Sequence, residues 1–190
     1  AKGSFTVGQI KIGGANLSDL TAGIDIANAQ ARFAPLGAKL YGGSYRGDIQ
    51  IDMRPAVPRL TMDEHLVGID IAALMKEYAD SQRLSGRGNL DVKLAANGRS
   101  GDDLLKSLTG TVGLNLQNGA VEGIDVWYAI AQAQSLIQKH QLAAATNSKR
   151  TAFDTFHATA DVVNGVATTR DLNIASQLLQ ITGAGSTNLV

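Results

Sequence analysis

The 190-residue chain alternates apolar and polar positions over much of its length. In residues 84–97, Leu, Gly, Val or Ala occupies every even position, whereas the odd positions are mostly polar or charged, and residues 109–118 repeat the pattern. An alternation with a period of two predicts strands with one buried and one solvated face, which is typical of antiparallel sheets. The candidates for the apolar face of these two strands are Leu90, Val92, Leu94, Val112, Leu114 and Leu116.

Shorter strand patterns occupy most of the remaining chain. Residues 1–59 contain apolar alternation separated by Gly-Gly pairs, and residues 153–183 show similar strand-like runs. Gly at such positions is typical of tight turns. We interpret residues 1–59 as an antiparallel meander that continues from a longer parent chain. Residues 60–190 are expected to form one continuous sheet with it.

A Gly-Ile-Asp phrase occurs three times, at 23–25, 68–70 and 123–125. Its second and third copies follow strand patterns and precede apolar residues with helical spacing, so Asp70 and Asp125 are predicted to be N-caps of two helices. The apolar positions of these helices are Ile71, Leu74, Met75 and Tyr78 in the first, and Trp127, Ile130, Ala131 and Ile137 in the second. The phrase therefore indicates a loose repeat of strand, corner and helix.

A third, short helix is predicted to begin at Ser100, because Ser100 and Asp103 have a spacing that resembles a capping box. Residues 139–150 mix small polar residues with basic ones and are predicted to form a mobile loop. Alternating strands need cover over one face only. The sequence thus predicts an α+β fold, a curved and mainly antiparallel β-sheet with two or three helices covering its apolar face.

The composition narrows the classes of function. Seventeen basic and seventeen acidic residues cancel, so there is no overall field to attract nucleic acid, and we expect no nucleic-acid partner. The chain has no Cys, which excludes disulfides and thiolate metal sites.

Candidate catalytic chemistry is sparse. His65 stands beside Asp63 and Glu64, but three consecutive side chains on a strand point to both faces and do not converge on one metal ion, so a solvated turn is favoured. His140 and His157 have no nucleophile or carboxylate at a spacing that would link them. We therefore expect a protein that is not an enzyme, with no catalytic residue, metal or cofactor.

Several segments of the chain resemble the carboxy-terminal region of the AsmA family in order and spacing. They are LSGRGNL at 84–90, ANGRS at 96–100, LKSLTG at 105–110, the stretch 118–125, TAF at 151–153, VNGV at 163–166 and GAGSTNL at 183–189. The resemblance covers residues 60–190, whereas residues 1–59 are similar only in style. Residues 60–190 are thus identified as an AsmA-like carboxy-terminal domain.

This resemblance implies a protein of the Gram-negative envelope, with an amino-terminal inner-membrane helix, a periplasmic body and a role in outer-membrane assembly. The AsmA family is also similar to bridge-like lipid transporters, whose repeated sheets form a hydrophobic groove for acyl chains. The implied function is that of a non-enzymatic periplasmic domain in envelope lipid homeostasis, with a β-groove for phospholipid or another envelope lipid. Its parent would be anchored in the inner membrane and would contact the membrane through parts outside this sequence.

Two alternatives stay open at the level of sequence. The apolar strand face is either core beneath the helices or, in part, a lipid-facing surface. The chain as a whole is either a lipid carrier or a structural or docking module that binds an envelope protein partner without touching lipid.

Overall fold

A computed structural model describes residues 1–12, 14–138 and 147–190. Within these residues, ten strands pair in chain order, each antiparallel to the next, in a single sheet with β1 and β10 at its edges. The strands are β1 (Lys2–Ile12), β2 (Ala15–Ala27), β3 (Gln30–Leu40), β4 (Gly43–Asp52), β5 (Arg59–Asp70), β6 (Leu84–Asn97), β7 (Thr109–Glu122), β8 (Arg150–Val163), β9 (Val166–Ala175) and β10 (Gln180–Asn188). The pairing of β4 with β5 joins residues 1–59 to the rest of the sheet.

In the described part of the chain, three helices lie in the connections that follow β5, β6 and β7. They are α1 (Ile71–Ala79), α2 (Gly101–Ser107) and α3 (Val126–Gln138). The predicted α+β fold, with helices covering the apolar face, is wrong, because the sheet accounts for most of the chain and the helices are minor. The physical reason is the length and placement of the helices. They have 9, 7 and 13 residues, and each lies in the connection between two adjacent antiparallel strands, so they are too short to form a layer over a sheet of ten strands.

The strand register places the apolar positions of the sheet on one face. Residues directly opposite each other in paired strands share a face. Three adjacent rows across the central strands contain aliphatic, aromatic or Gly residues with one exception, Glu64, and we call the whole side of the sheet on which these rows lie the apolar face. Its rows are Ala22, Leu36, Gly47, Glu64, Val92, Val112 and Ala160; Ile24, Phe33, Ile49, Met62, Leu94, Gly110 and Val162; and Tyr45, Leu66, Leu90, Leu114 and Ala158.

The core occupies one end of the apolar face. Its buried members are Leu66, Ile69, Ile71, Leu116 and Phe153. Leu74 and Met75 of α1 pack against them, as predicted by the helical stripe. Tyr78, predicted on the same stripe, is 71% exposed, so that part of the prediction is wrong. The helix ends one residue later, at Ala79, and only its first two turns reach the core.

The last turn of α1 is attached to two strand connections instead. Glu77 accepts hydrogen bonds from the Tyr41 hydroxyl at 2.7 Å and from the Gly14 N–H at 2.8 Å. Tyr41 lies between β3 and β4, and Gly14 lies between β1 and β2. A single carboxylate thus ties α1 to the amino-terminal third of the sheet.

The predicted mobile loop falls mainly outside the described residues. Of 139–150, residues 139–146, including His140, lie outside them, and β8 begins at Arg150. None of the helices in the described ranges combines the length and apolar character needed to cross a lipid bilayer.

The helix starts involve the side chains singled out in the sequence. Asp70 caps α1 by accepting from the Ala72 N–H at 3.0 Å. Ser100 and Asp103 form a reciprocal capping box at α2. Asp125 accepts from the Tyr128 N–H at 2.9 Å at the start of α3. The first copy of the phrase, at 23–25, lies inside β2 and starts no helix.

Asp125 differs from Asp70 in the number of its hydrogen bonds. Its second oxygen accepts from the Ser148 N–H at 2.9 Å and from the Ser148 hydroxyl at 2.6 Å, which fastens the start of α3 to the segment before β8. The bond from the Ser148 hydroxyl is the main reason that the pKa of Asp125 is lowered.

We expect Asp70→Ala to destabilise the protein by about 1 kcal/mol through loss of its cap, and Asp125→Ala to lower the melting temperature further. Because the pKa of Asp125 is lowered by folding, its contribution is present above the unfolded pKa of about 3.9 and is lost as the pH falls through the lower folded value. Thermal melts at pH 7 and pH 3 should therefore show a larger Asp125→Ala effect at pH 7. Equal melting temperatures for both variants would contradict this ranking.

Candidate functional site

The six apolar candidates from the sequence all lie on the apolar face of β6 and β7. Leu90 is paired with Leu114, and Val92 with Val112. Leu94 is opposite Gly110, and Leu116 is opposite Gly88. The alternation of the two strands thus converges on one continuous surface.

Burial divides these six residues into two groups. Leu116 is only 1% exposed and belongs to the core, and Leu90 and Leu114 pack against it. Val92, Leu94 and Val112 are half-buried and lie outside that core cluster. The candidate binding surface is therefore the part of the apolar face around these last three residues.

The same surface continues onto strands that the sequence reasoning did not single out. Met62, Ile49 and Phe33 lie in the row of Leu94, on β5, β4 and β3, and all three are half-buried. The signal was present in β4, where Tyr45, Gly47, Ile49 and Ile51 alternate with polar residues. What the sequence lacked was the register that aligns them with Leu94.

Glu64 is the one charged residue in the three rows of the apolar face. Its Oε2 accepts a hydrogen bond from the Tyr45 hydroxyl at 2.6 Å. Its Oε1 is buried and has no hydrogen-bond partner in the part of the chain that the structure describes. Burial raises the pKa of Glu64, and the Tyr45 hydrogen bond opposes that shift. A carboxylate in this position is costly unless a donor satisfies it.

The predicted solvated turn at Asp63, Glu64 and His65 is wrong. All three residues lie inside β5, which runs without interruption to Asp70. Because successive side chains of a strand point to opposite faces, Glu64 lies on the apolar face and Asp63 and His65 lie on the opposite face.

The opposite face of the sheet is polar and exposed to solvent. His65 Nδ1 lies 2.7 Å from Asp91 Oδ1, and the hydrogen bond with Asp91 raises the pKa of His65. Asp63 lies 3.3 Å from Lys93 Nζ. These pairs are exposed and contribute little to stability. Within the described ranges, no group of three or more His, Asp or Glu side chains has a metal-binding arrangement.

A second apolar surface lies near the start of α3. Trp127, predicted on the packed side of that helix, is 40% exposed, and Leu178 in the β9–β10 connection is 84% exposed. Together with Phe153 they line a cavity of ≈ 240 Å³. The adjoining corner is held by buried Thr151, whose hydroxyl donates to the Ile124 carbonyl at 2.7 Å and accepts from the Val126 N–H at 3.1 Å.

We expect Glu64→Gln to raise the melting temperature at pH 7 and to have less effect near pH 4. The folded pKa of Glu64 is raised, so its contribution to stability is complete below the unfolded pKa of about 4.3 and is lost as the pH rises through the folded value. The neutral amide does not undergo this loss. Melts of both proteins from pH 4 to 8 test the sign, and a Gln variant that is less stable at pH 7 than at pH 4, relative to the parent, would contradict it.

Comparison with known proteins identifies the family. The sequence model of the AsmA family matches residues 3–172. The chain is 23% identical over 176 residues to Protein AsmA of Escherichia coli (strain K12), an alignment that covers 93% of this chain and 28% of that protein. The comparison with solved structures found no significant match. The resemblance found in the sequence is confirmed, and the chain belongs to the AsmA family of bacterial envelope proteins.

Proposed function

We propose that this chain is a non-enzymatic, periplasmic part of an AsmA-family protein that is anchored in the inner membrane and serves outer-membrane assembly and envelope lipid homeostasis. In this proposal the apolar face holds the acyl chains of phospholipid or another envelope lipid during transport. Membership of the AsmA family supports the envelope role. The chain spans 28% of the length of its E. coli relative, so lipid transport would involve further parts of the parent protein.

The observation that carries the proposal is the continuous half-buried row through Leu94. Its half-buried part runs from Ile24 on β2 to Gly110 on β7, and the next member, Val162 on β8, is fully buried. Strands lie about 4.8 Å apart, so the half-buried part is roughly 24 Å long. The hydrocarbon core of a bilayer is about 30 Å thick, and one acyl chain spans about half of it. The row is therefore long enough to accommodate an acyl chain.

The energetics favour transient binding. Each methylene removed from water contributes about 0.8 kcal/mol, so eight methylenes contribute roughly 6 kcal/mol. Association costs of about 4 kcal/mol or more offset most of this gain. A face that binds weakly at each position suits a lipid in transit, because tight binding would hold the lipid in place.

Site-specific photocrosslinking in the full-length protein tests this proposal. Val112 and Thr111 are adjacent on β7, but Val112 is half-buried on the apolar face and Thr111 is exposed on the polar face. We expect a photoreactive residue at position 112 to capture phospholipid in the envelope and the same residue at 111 to capture none. Equal capture at the two positions, or none at 112, would overturn the proposal.

The exposed surface formed by Trp127 and Leu178 favours a second candidate, a docking module for an envelope protein partner. A soluble monomer rarely keeps a contiguous apolar surface exposed without a use. A photoreactive residue at position 178 that captures one envelope protein, with no lipid captured at 112, would favour this alternative.

A further inference from the structure

Glu64 lies where a purely lipid-binding surface would have another aliphatic side chain. On β5 its same-face neighbours are Met62 and Leu66, and across the sheet it is paired with Gly47 and Val92. Glu64 itself is half-buried. A carboxylate so placed weakens the binding of an alkyl chain alone, which calls for a specific reason for its presence.

The surroundings of Glu64 are shaped around its carboxylate. Gly47 lies directly beneath the hydrogen bond between Tyr45 and Glu64, and a Cβ added there would overlap Glu64 Oε2 and the Tyr45 hydroxyl and lie 2.7 Å from Tyr45 Cζ. A residue with a side chain at position 47 would thus displace the pair. The absence of a side chain at this position allows the phenol and the carboxylate to meet over the backbone.

The chemistry of the pair selects a ligand group. Tyr45 occupies Oε2 as a donor, which leaves Oε1 as an acceptor without a partner among the described residues. The three rows of the apolar face contain no Lys or Arg. A phosphate or carboxylate beside Glu64 would therefore be repelled without compensation, whereas a cation with N–H donors would be attracted and hydrogen-bonded.

We propose that Glu64, held by Tyr45, forms a polar site within the apolar face for a primary ammonium group carried on the alkyl chain of an amphiphile. This inference rests on the proposed lipid-binding function. The alkyl chain lies along the row of Val92 and Val112, and the ammonium donates to Oε1. Because Oε1 is buried in the structure, this binding requires the Glu64 side chain to rotate and expose that oxygen.

Titration calorimetry of the 190-residue chain with four single-chain amphiphiles, below their micelle-forming concentrations, tests the proposal. Dodecylamine has N–H donors and a positive charge, whereas dodecyltrimethylammonium has the positive charge but no N–H donor. Dodecanol has neither an N–H donor nor a charge, and dodecanoate has a negative charge. Charge-assisted hydrogen bonds predict that dodecylamine binds at least tenfold more tightly than the trimethylated amine. Glu64→Gln should abolish this preference, and Tyr45→Phe should reduce it. Asp63→Asn, on the neighbouring polar position, should leave it intact.

The possible results separate the inference from the function on which it rests. An unchanged preference in Glu64→Gln, or equal binding of all four amphiphiles, would overturn the ammonium site and leave the lipid-binding function standing. If none of them bound, both would fail. A parallel pair of lysophospholipids with ethanolamine or choline heads identifies the source of the ammonium. If the ethanolamine lysophospholipid binds more tightly than the choline one, the ammonium group belongs to a phospholipid headgroup. If dodecylamine is preferred but the two lysophospholipids bind equally, the ammonium group belongs to an amine without phosphate.

Discussion

Gly88→Ala is expected to destabilise the protein by about 3 kcal/mol or more, whereas Gly113→Ala should leave it at least as stable as the parent. Gly88 is paired with Leu116 on β7 and with Ile69 on β5, the two most deeply buried aliphatic residues around it. A Cβ at Gly88 would overlap the carbonyl oxygen of Asn115 and lie 2.8 Å from Leu116 Cα. These are backbone atoms of a paired strand, and they move only if the β6–β7 ladder opens.

Gly113 is the matched control, because it lies on β7 close to the same strand pair. A Cβ there would be 3.9 Å from Thr159 Cγ2 and 4.0 Å from Asp91 Cβ, which are ordinary contacts. Alanine at this position also restricts the unfolded chain, which contributes about 0.4–1 kcal/mol of stability. Urea denaturation of the two variants gives the comparison directly. Similar midpoints for both would mean that β6 and β7 do not approach as closely as the structure indicates.

The two strands with the clearest alternation were predictable in detail, and the fold class was not. The alternation in residues 84–97 and 109–118 predicted both strands and the face that Leu90 and Val112 share. A stripe of apolar residues on a helix, in contrast, indicates that one side of the helix is buried. It does not show which element covers that side or how far along the helix the contact extends. Tyr78 continues the stripe of α1 and is nevertheless exposed. The helical stripes therefore predicted a layer of helices, although each helix lies within a single connection between strands.

Glu64 shows a different limit of the sequence. Its position two residues from Met62 and from Leu66 already indicates the apolar face. The adjacent Asp63 and His65 made the segment resemble a polar turn, so the placement of Glu64 on the same face as Met62 and Leu66 was missed. Its partner Tyr45 is 19 residues away, and the two meet only because β4 and β5 pair in a register that places Gly47 between them. Such a register depends on the whole sheet and is not written in any local pattern.

Leu116→Ala and Val112→Ala test how far the core extends along the apolar face. Leu116 is fully buried among Ile69, Phe153 and the residues of α1, so its truncation is expected to cost about 2–5 kcal/mol, including the cavity that it leaves.

Val112 lies on the same strand and face four residues earlier, but it is half-buried and outside the core cluster, so we expect its truncation to cost about 1 kcal/mol or less. The order should be reversed for lipid capture, where a change at Val112 is expected to have a larger effect than a change at Leu116. Val112→Asp should remain folded by circular dichroism and reduce lipid capture by a photoreactive residue at position 94, because it introduces a charge into the half-exposed row next to Leu94. Leu116→Ala, studied at a temperature where it is folded, should capture lipid as the parent does. If Val112→Ala proved as costly as Leu116→Ala, the face around Val112 would be core, and the lipid-binding proposal would lose the surface on which it depends.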